Sequence, residues 1–101
     1  MKLIQELSDM IEDELEGAEG YAKMALKLKE ERPEMARTFN MMASQEMEHM
    51  NNLHKMVVDV IDKYRMEKGE PPAAMLAVYD YLHEKHIEEA AEVRTMINMF
   101  A

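Results

Sequence analysis

Apolar residues recur at spacings of three and four along three stretches of the chain, which is the pattern of a helix with one buried face. The first stretch runs through Ile4, Leu7, Ile11, Glu14, Ala18, Tyr21, Ala25 and Leu28. The second runs through Met35, Phe39, Met42, Glu46, His49, Leu53, Met56 and Val60. The third runs through Met75, Tyr79, Leu82, His86, Glu89, Val93, Met96 and Phe100. The pattern predicts an all-α chain of three helices.

Proline and glycine separate the three stretches. Pro33 suits the first turn of a helix, so we expect helix 1 to end near Glu31 and helix 2 to begin near Glu34. Residues 68–72 combine a glycine stop with two prolines, which should end helix 2 and start helix 3 near Ala73. The chain of 101 residues is long enough for a single domain, residues 1–101.

Each predicted buried face is interrupted near its middle by ionisable side chains. Glu14 interrupts the first face, Glu46 and His49 the second, and His86 and Glu89 the third. A lone buried charge costs several kcal/mol unless it is paired, protonated or bound to a cation. A bound transition metal would account for all three interruptions.

The composition narrows the classes of function. With 21 acidic residues against 12 Lys and Arg, the net charge of -9 argues against nucleic-acid binding. There is no apolar run long enough for a membrane helix and no signal-peptide pattern, so we expect a soluble, cytoplasmic protein or one packaged inside a protein compartment. Because the chain has no cysteine, any metal must be held by oxygen and nitrogen.

Several features indicate close helix packing and self-association. Gly17 and Gly20 lie inside helix 1, where glycine is tolerated if another helix or a second chain approaches closely. Helix 2 is long for a domain of this size, so part of its apolar face should need cover from helix 3 or from a second chain. Five of the thirteen methionines fit core positions, namely Met24, Met35, Met42, Met56 and Met96. Five others leave an interface hypothesis open: Met41, Met47, Met50, Met66 and Met99.

The spacing of the ionisable residues fits metal ligation. Glu46 and His49 are three apart, so a carboxylate and an imidazole share one helical turn. Tyr21 follows Glu14 by two turns, where its hydroxyl could hydrogen-bond to a ligand or simply belong to the core. A site rich in carboxylates with one or two imidazoles favours iron, or manganese, over zinc.

Two segments, IEDELEGAEGYAKMAL and ASQEMEHMNNL, resemble the first half of a rubrerythrin or ferritin-like di-iron domain, over about residues 7–60. The resemblance implies that Glu14 is a terminal iron ligand, that Glu46 bridges two irons, that His49 is a terminal nitrogen ligand and that Tyr21 is a neighbour of the site. It also implies a ferritin-like helical bundle.

The chain departs from this family in having only one Glu-x-x-His motif, so its site would be half built. A second protomer could supply the other half, as in the short encapsulated ferritins that the chain resembles in length. Alternatively, His86 and Glu89 complete the site from helix 3. In a structural interpretation, His86 is a core histidine and Glu89 pairs with a cation such as Arg94 of a neighbouring chain.

The leading interpretation is an iron-binding ferritin-like ferroxidase that oxidises Fe(II) for iron storage or detoxification, with oxygen or peroxide as oxidant. The expected partners are a second copy or larger homo-oligomer and an enclosing shell protein. Two alternatives stay open: rubrerythrin-like peroxide reduction, and a non-catalytic helical adaptor in which the Glu and His pairs fix helix register. We expect His54 and His83, which lie off or beside the main faces, to be peripheral.

Overall fold

A computed structural model describes residues 2–100. These residues form α1 (Lys2–Leu28), α2 (Pro33–Lys68) and α3 (Ala73–Phe100), and none of them belongs to a strand. The prediction of an all-α chain of three helices is therefore confirmed. None of the three helices, as far as the described residues go, is long and apolar enough to cross a membrane.

The helix boundaries follow the local chemistry that predicted them. Pro33 occupies the first turn of α2, and Gly69 ends that helix with φ of 80° while its N–H donates to the Arg65 carbonyl oxygen at 3.1 Å. Helix α1 ends at Leu28 rather than near Glu31. Arg32, the residue before Pro33, is disfavoured in helical geometry and has φ of -136° and ψ of 67°.

Helix α1 packs against both other helices, whereas α2 and α3 make few contacts with each other. Short connections make successive helices antiparallel. The core joins the apolar side of α1 to that of α2, with a smaller contribution from α3: Ile4, Leu7, Ile11, Leu15, Ala18, Met47, Met50, Leu53, Val57, Ile61, Ala90 and Val93. Consequently, α1 presents one side to α2 and another to α3.

The apolar end of the long helix α2 is covered only in part within one chain. The molecule measures 56 Å along its longest axis, which matches 36 residues of helix at about 1.5 Å each. Near the end of α2, Ile61 is buried in the same cluster as Ile4 of α1. Val58 and Met66 are 41% and 87% exposed, so part of the predicted uncovered apolar surface is found.

The buried face of α2 is not the face that the sequence pattern predicted. Its buried residues are Ala36, Ala43, Met47, Met50, Leu53, Val57 and Ile61, and only Leu53 belongs to the predicted set. Met35 and Met56 of the predicted face are each 51% exposed. Most positions are displaced by one residue, a rotation of about 100° about the helix axis. Two of the buried positions are small residues, Ala36 and Ala43, and both are fully buried.

The methionines divide differently from the prediction. Met47 and Met50 are buried in the core, although they had been assigned no core position. Met24, Met35 and Met56 are exposed. Of the remaining interface candidates, the exposed ones are Met41, Met66 and Met99.

Candidate metal centre

Helices α1 and α2 bring together Glu14, Glu46 and His49. Each offers one ligand atom, and the three atoms lie within 4.8 Å of one another. His49 Nδ1 is 3.4 Å from Glu14 Oε2 and 3.8 Å from Glu46 Oε1. Within residues 2–100, no other group of three or more His, Asp or Glu side chains brings its ligand atoms this close together.

The three side chains sit at the edge of the α1–α2 interface rather than inside the core. The side chains of Glu14 and Glu46 are 27% and 25% exposed, and that of His49 is 58% exposed. The prediction that Glu46 and His49 interrupt a buried face is therefore wrong for this chain alone. Their partial exposure leaves the ligand atoms open to an ion from solution.

Gly17 makes room for the Glu46 carboxylate. A Cβ placed on Gly17 would lie 3.2 Å from Glu46 Oε2, which is tighter than ordinary contact. The predicted close approach at Gly17 is thus confirmed within one chain. Gly20 has no atom within 4 Å of the same position among the described residues, so no such approach is found there.

The electrostatics of this group favour a cation. The pKa of Glu46 is raised, first by a hydrogen bond shared with Glu14, then by burial and by the Glu14 charge, while His49 lowers it. Glu14 Oε2 is buried without a hydrogen bond. Among the described residues, no Lys or Arg nitrogen lies within 4.0 Å of either carboxylate. Two close carboxylates and an imidazole without a protein cation have the donor chemistry of an iron or manganese site.

Tyr21 is half-buried two turns beyond Glu14 and stacks on Phe39, with ring centroids 6.1 Å apart. This aromatic contact accounts for the position of its ring. Hydrogen bonding of its hydroxyl to a metal ligand stays a prediction.

His86 and Glu89 of α3 contact Glu12 instead of Glu14. His86 Nε2 lies 3.2 Å from Glu12 Oε2, and Lys85 Nζ lies 3.8 Å from an oxygen of Glu12 and from one of Glu89. Residues two apart on a helix point to different sides, so Glu12 faces α3 while Glu14 faces α2. The structure therefore does not bring His86 and Glu89 to the group formed by Glu14, Glu46 and His49.

The cluster around His86 and Glu89 differs from the group of Glu14, Glu46 and His49 because it contains a cation of the protein, Lys85. Lys85 pairs with Glu89 within the chain, whereas the structural interpretation had invoked Arg94 of a neighbour. His86 is buried, which lowers its pKa despite the opposing effect of Glu12. Burial and Glu12 raise the pKa of Glu89, while Lys85 lowers it. Lys85 thus supplies this cluster with a protein cation, while Glu12 Oε2, like Glu14 Oε2, is buried without a hydrogen bond.

Glu12 is the residue of this cluster that sequence reasoning missed. Its position next to Ile11 and three residues before Leu15, both buried, was the available signal that its side chain borders the core.

Comparison with known proteins gives one match. The family model described as Rubrerythrin matches residues 6–101, nearly the whole chain. Neither the curated proteins nor the solved structures include a significant match.

Proposed function

Because the chain belongs to the rubrerythrin family, whose members typically bind iron, we propose that it binds iron through Glu14, Glu46 and His49 and oxidises Fe(II) to Fe(III). The observation that carries the proposal is the convergence of these side chains, with Glu14 Oε2 buried without a hydrogen bond and no Lys or Arg nitrogen within 4.0 Å of the carboxylates in residues 2–100. A positive ion supplies the charge that this part of the protein lacks.

The proposed residue roles are those that the family resemblance implies. Glu46, whose carboxylate lies beside Gly17, would bridge two irons, and Glu14 and His49 would be terminal ligands. Carboxylates suit this role because they can change their mode of coordination as the charge of iron changes. Two Fe(II) ions are the substrate: each gives one electron to oxygen, which with two protons leaves as hydrogen peroxide.

A second copy of the chain completes the site in this proposal. Carboxylate-bridged di-iron bundles take a Glu from each of two helices and a Glu-x-x-His motif from each of two others. One chain supplies one of each, as Glu14 on α1 and Glu46 with His49 on α2. Two copies of the α1–α2 pair would therefore provide four helices and one full ligand set for two irons.

The surface around the three ligands supports this pairing. Met10 of α1 and Met35 and Met56 of α2 are each 51% exposed and lie on the helix sides that carry the ligands. An exposed apolar surface surrounding charged groups is typical of an interface. The predicted face of α2, half-exposed in one chain, would then be buried by the second copy. Larger homo-oligomers and an enclosing shell protein also stay proposals, and we assign no residues to their interfaces.

The test is an anaerobic Fe(II) titration followed by addition of oxygen, with absorbance recorded in the near ultraviolet. We expect saturation at about one iron per chain, as two half-sites sharing two irons require, and oxidation faster than in buffer. Glu46→Gln and His49→Ala should abolish saturable binding while far-ultraviolet circular dichroism stays helical. Glu48→Gln, an exposed neighbour on α2, is the matched control and should bind as the wild type does.

A wild-type protein that takes up no iron, with Glu46→Gln changing only its self-association, would support the helical adaptor instead. Saturable binding with rapid oxidation by peroxide, and none by oxygen, would identify peroxide reduction as the activity.

A further inference from the structure

A cavity of about 180 Å³ lies between α2 and α3, with part of its wall formed by α1. Glu14, Glu46 and His49 do not line it. Its polar wall consists of three imidazoles, a guanidinium and a carboxamide: His54, His83, His86, Arg94 and Asn51. The volume is enough for several waters or for a small polyatomic ligand.

The charge of the lining is unusual for this chain. The protein has 21 acidic residues and 12 Lys and Arg, yet no carboxylate of residues 2–100 lines the cavity. Arg94 is exposed and forms no ion pair with any residue in 2–100. The nearest acids of the α3 cluster, Glu12 and Glu89, are both held by Lys85. The cavity therefore offers nitrogen donors on His54, His83 and Arg94, none of which forms an ion pair with a carboxylate in residues 2–100, whereas His86 is engaged by Glu12.

Two of the imidazoles are held in position by stacking. The ring centroids of His54 and His83 are 4.7 Å apart, and the two rings are inclined by 14°. The ring of Tyr79 also stacks on that of His83, with centroids 5.6 Å apart and an angle of 12°. This stacking limits the rotamers of the two histidines, so they lose little conformational entropy when a ligand binds.

We propose that this cavity binds a small oxyanion, a phosphate or a carboxylate, with Arg94, His54 and His83 as donors and Asn51 beside them. Guanidinium groups recognise such anions through paired N–H donors. His86 is engaged with Glu12 and serves as a wall rather than as a principal donor.

The geometry favours an anion over a metal ion. The ring nitrogens of two nearly parallel stacked imidazoles direct their lone pairs along parallel planes, so these lone pairs do not converge on one ion. Among the described residues, His54, His83 and His86 also do not form a group of three whose ligand atoms all lie within 4.8 Å of one another. Arg94 is always positively charged and would repel a cation at this place.

Burial and the neighbouring ring of His83 lower the pKa of His54, which leaves its imidazole neutral at neutral pH. A neutral imidazole still has one N–H to donate. The site thus combines a fixed positive charge on Arg94 with a neutral donor on His54.

The experiment is a titration of metal-free protein with inorganic phosphate at constant ionic strength, followed by 1H–13C NMR of the imidazoles. The chain has four histidines, so each signal can be assigned by substitution. We expect saturable shifts for His54 and His83 and none for His49. Arg94→Gln should weaken phosphate binding about tenfold or more, since a charge-assisted hydrogen bond is lost. Arg37→Gln, exposed on α2, removes the same charge elsewhere and should leave binding unchanged.

Acetate is the second arm. Saturation by acetate alone identifies a carboxylate as the ligand and saturation by phosphate alone identifies a phosphate, and either supports an oxyanion site. Shifts that do not saturate with either anion, or an equal effect of Arg94→Gln and Arg37→Gln, would overturn the proposal. So would Zn(II) binding at His54 and His83 without an anion response. The iron proposal is tested separately, because Glu46→Gln should retain the phosphate response.

Discussion

Gly17 leaves the space in which the Glu46 carboxylate lies, and this makes Gly17→Ala a sensitive test of the centre. The added Cβ would stand 3.2 Å from Glu46 Oε2 and displace the carboxylate by a few tenths of an ångström. We expect metal affinity to fall about tenfold, the size of effect seen when groups that orient ligands are changed. Stability should not fall, because alanine favours a helix interior by roughly 0.5–1 kcal/mol. Calorimetric titration and chemical unfolding measure the two effects.

Gly20→Ala provides the matched control, since no atom within residues 2–100 lies within 4 Å of the new Cβ. It should raise stability by a similar amount and leave metal affinity unchanged. Equal metal affinities for the two alanine variants would show that Gly17 does not position Glu46.

The raised pKa of Glu46 predicts that metal binding competes with a proton. In the metal-free protein, Glu14 and Glu46 are favoured to share a proton, which an entering cation must displace. As pH falls through this raised pKa, metal affinity should decrease by up to about tenfold per pH unit. The same shift favours the metal-free fold at low pH, and that contribution is lost as pH rises through the raised pKa.

Calorimetry in buffers of different ionisation enthalpy measures the released proton. Glu46→Gln cannot share a proton in this way, so the pH dependence of the metal-free protein's stability should flatten in the variant. Metal binding to the wild type without proton release, at a pH below the raised pKa, would contradict the coupling between Glu14 and Glu46.

Val57 and Met56 are neighbours in sequence but lie on different faces of α2. Val57 is 1% exposed in the core, whereas Met56 is half-exposed on the side that carries His49. Val57→Ala should lower the free energy of unfolding by roughly 2 kcal/mol, because two buried methyl groups are lost and a cavity remains. Met56→Ala should change the stability of the single chain little but weaken self-association. Urea unfolding at low protein concentration and sedimentation equilibrium distinguish the effects, and a core-sized loss for Met56→Ala would show that this face packs within one chain.

Spacing alone predicts which segments are helical more reliably than it predicts which side of each helix is buried. For α1, the predicted residues Ile4, Leu7, Ile11 and Ala18 are buried. For α2, a face of large apolar residues and a face containing Ala36, Ala43 and Met47 compete, and the smaller residues allow closer approach of α1. That competition depends on the partner helix, so spacing within α2 does not reveal it.

The complete assembly should couple metal binding to self-association. Since each chain supplies half of the ligands expected in a di-iron bundle, metal should draw two chains together. We expect sedimentation to show a dimer favoured by added metal and weakened when a chelator removes it. Glu46→Gln should lose this response, whereas Glu48→Gln should keep it. An association constant that does not depend on metal would show that the chains associate independently of the metal site.

The sequence by itself determined the three helices, their breaks at Pro33 and Gly69, and the pairing of Glu46 with His49 on one turn, because these depend on local geometry. It also indicated Glu14 as their partner, through resemblance to a family that the match over residues 6–101 confirms. Tertiary structure decided which sides of the helices meet. The rotation of α2 placed Glu46 and His49 at an interface edge, and the two sides of α1 separated Glu14 from Glu12. These outcomes depend on packing between residues far apart in the chain, which spacing within one helix does not describe.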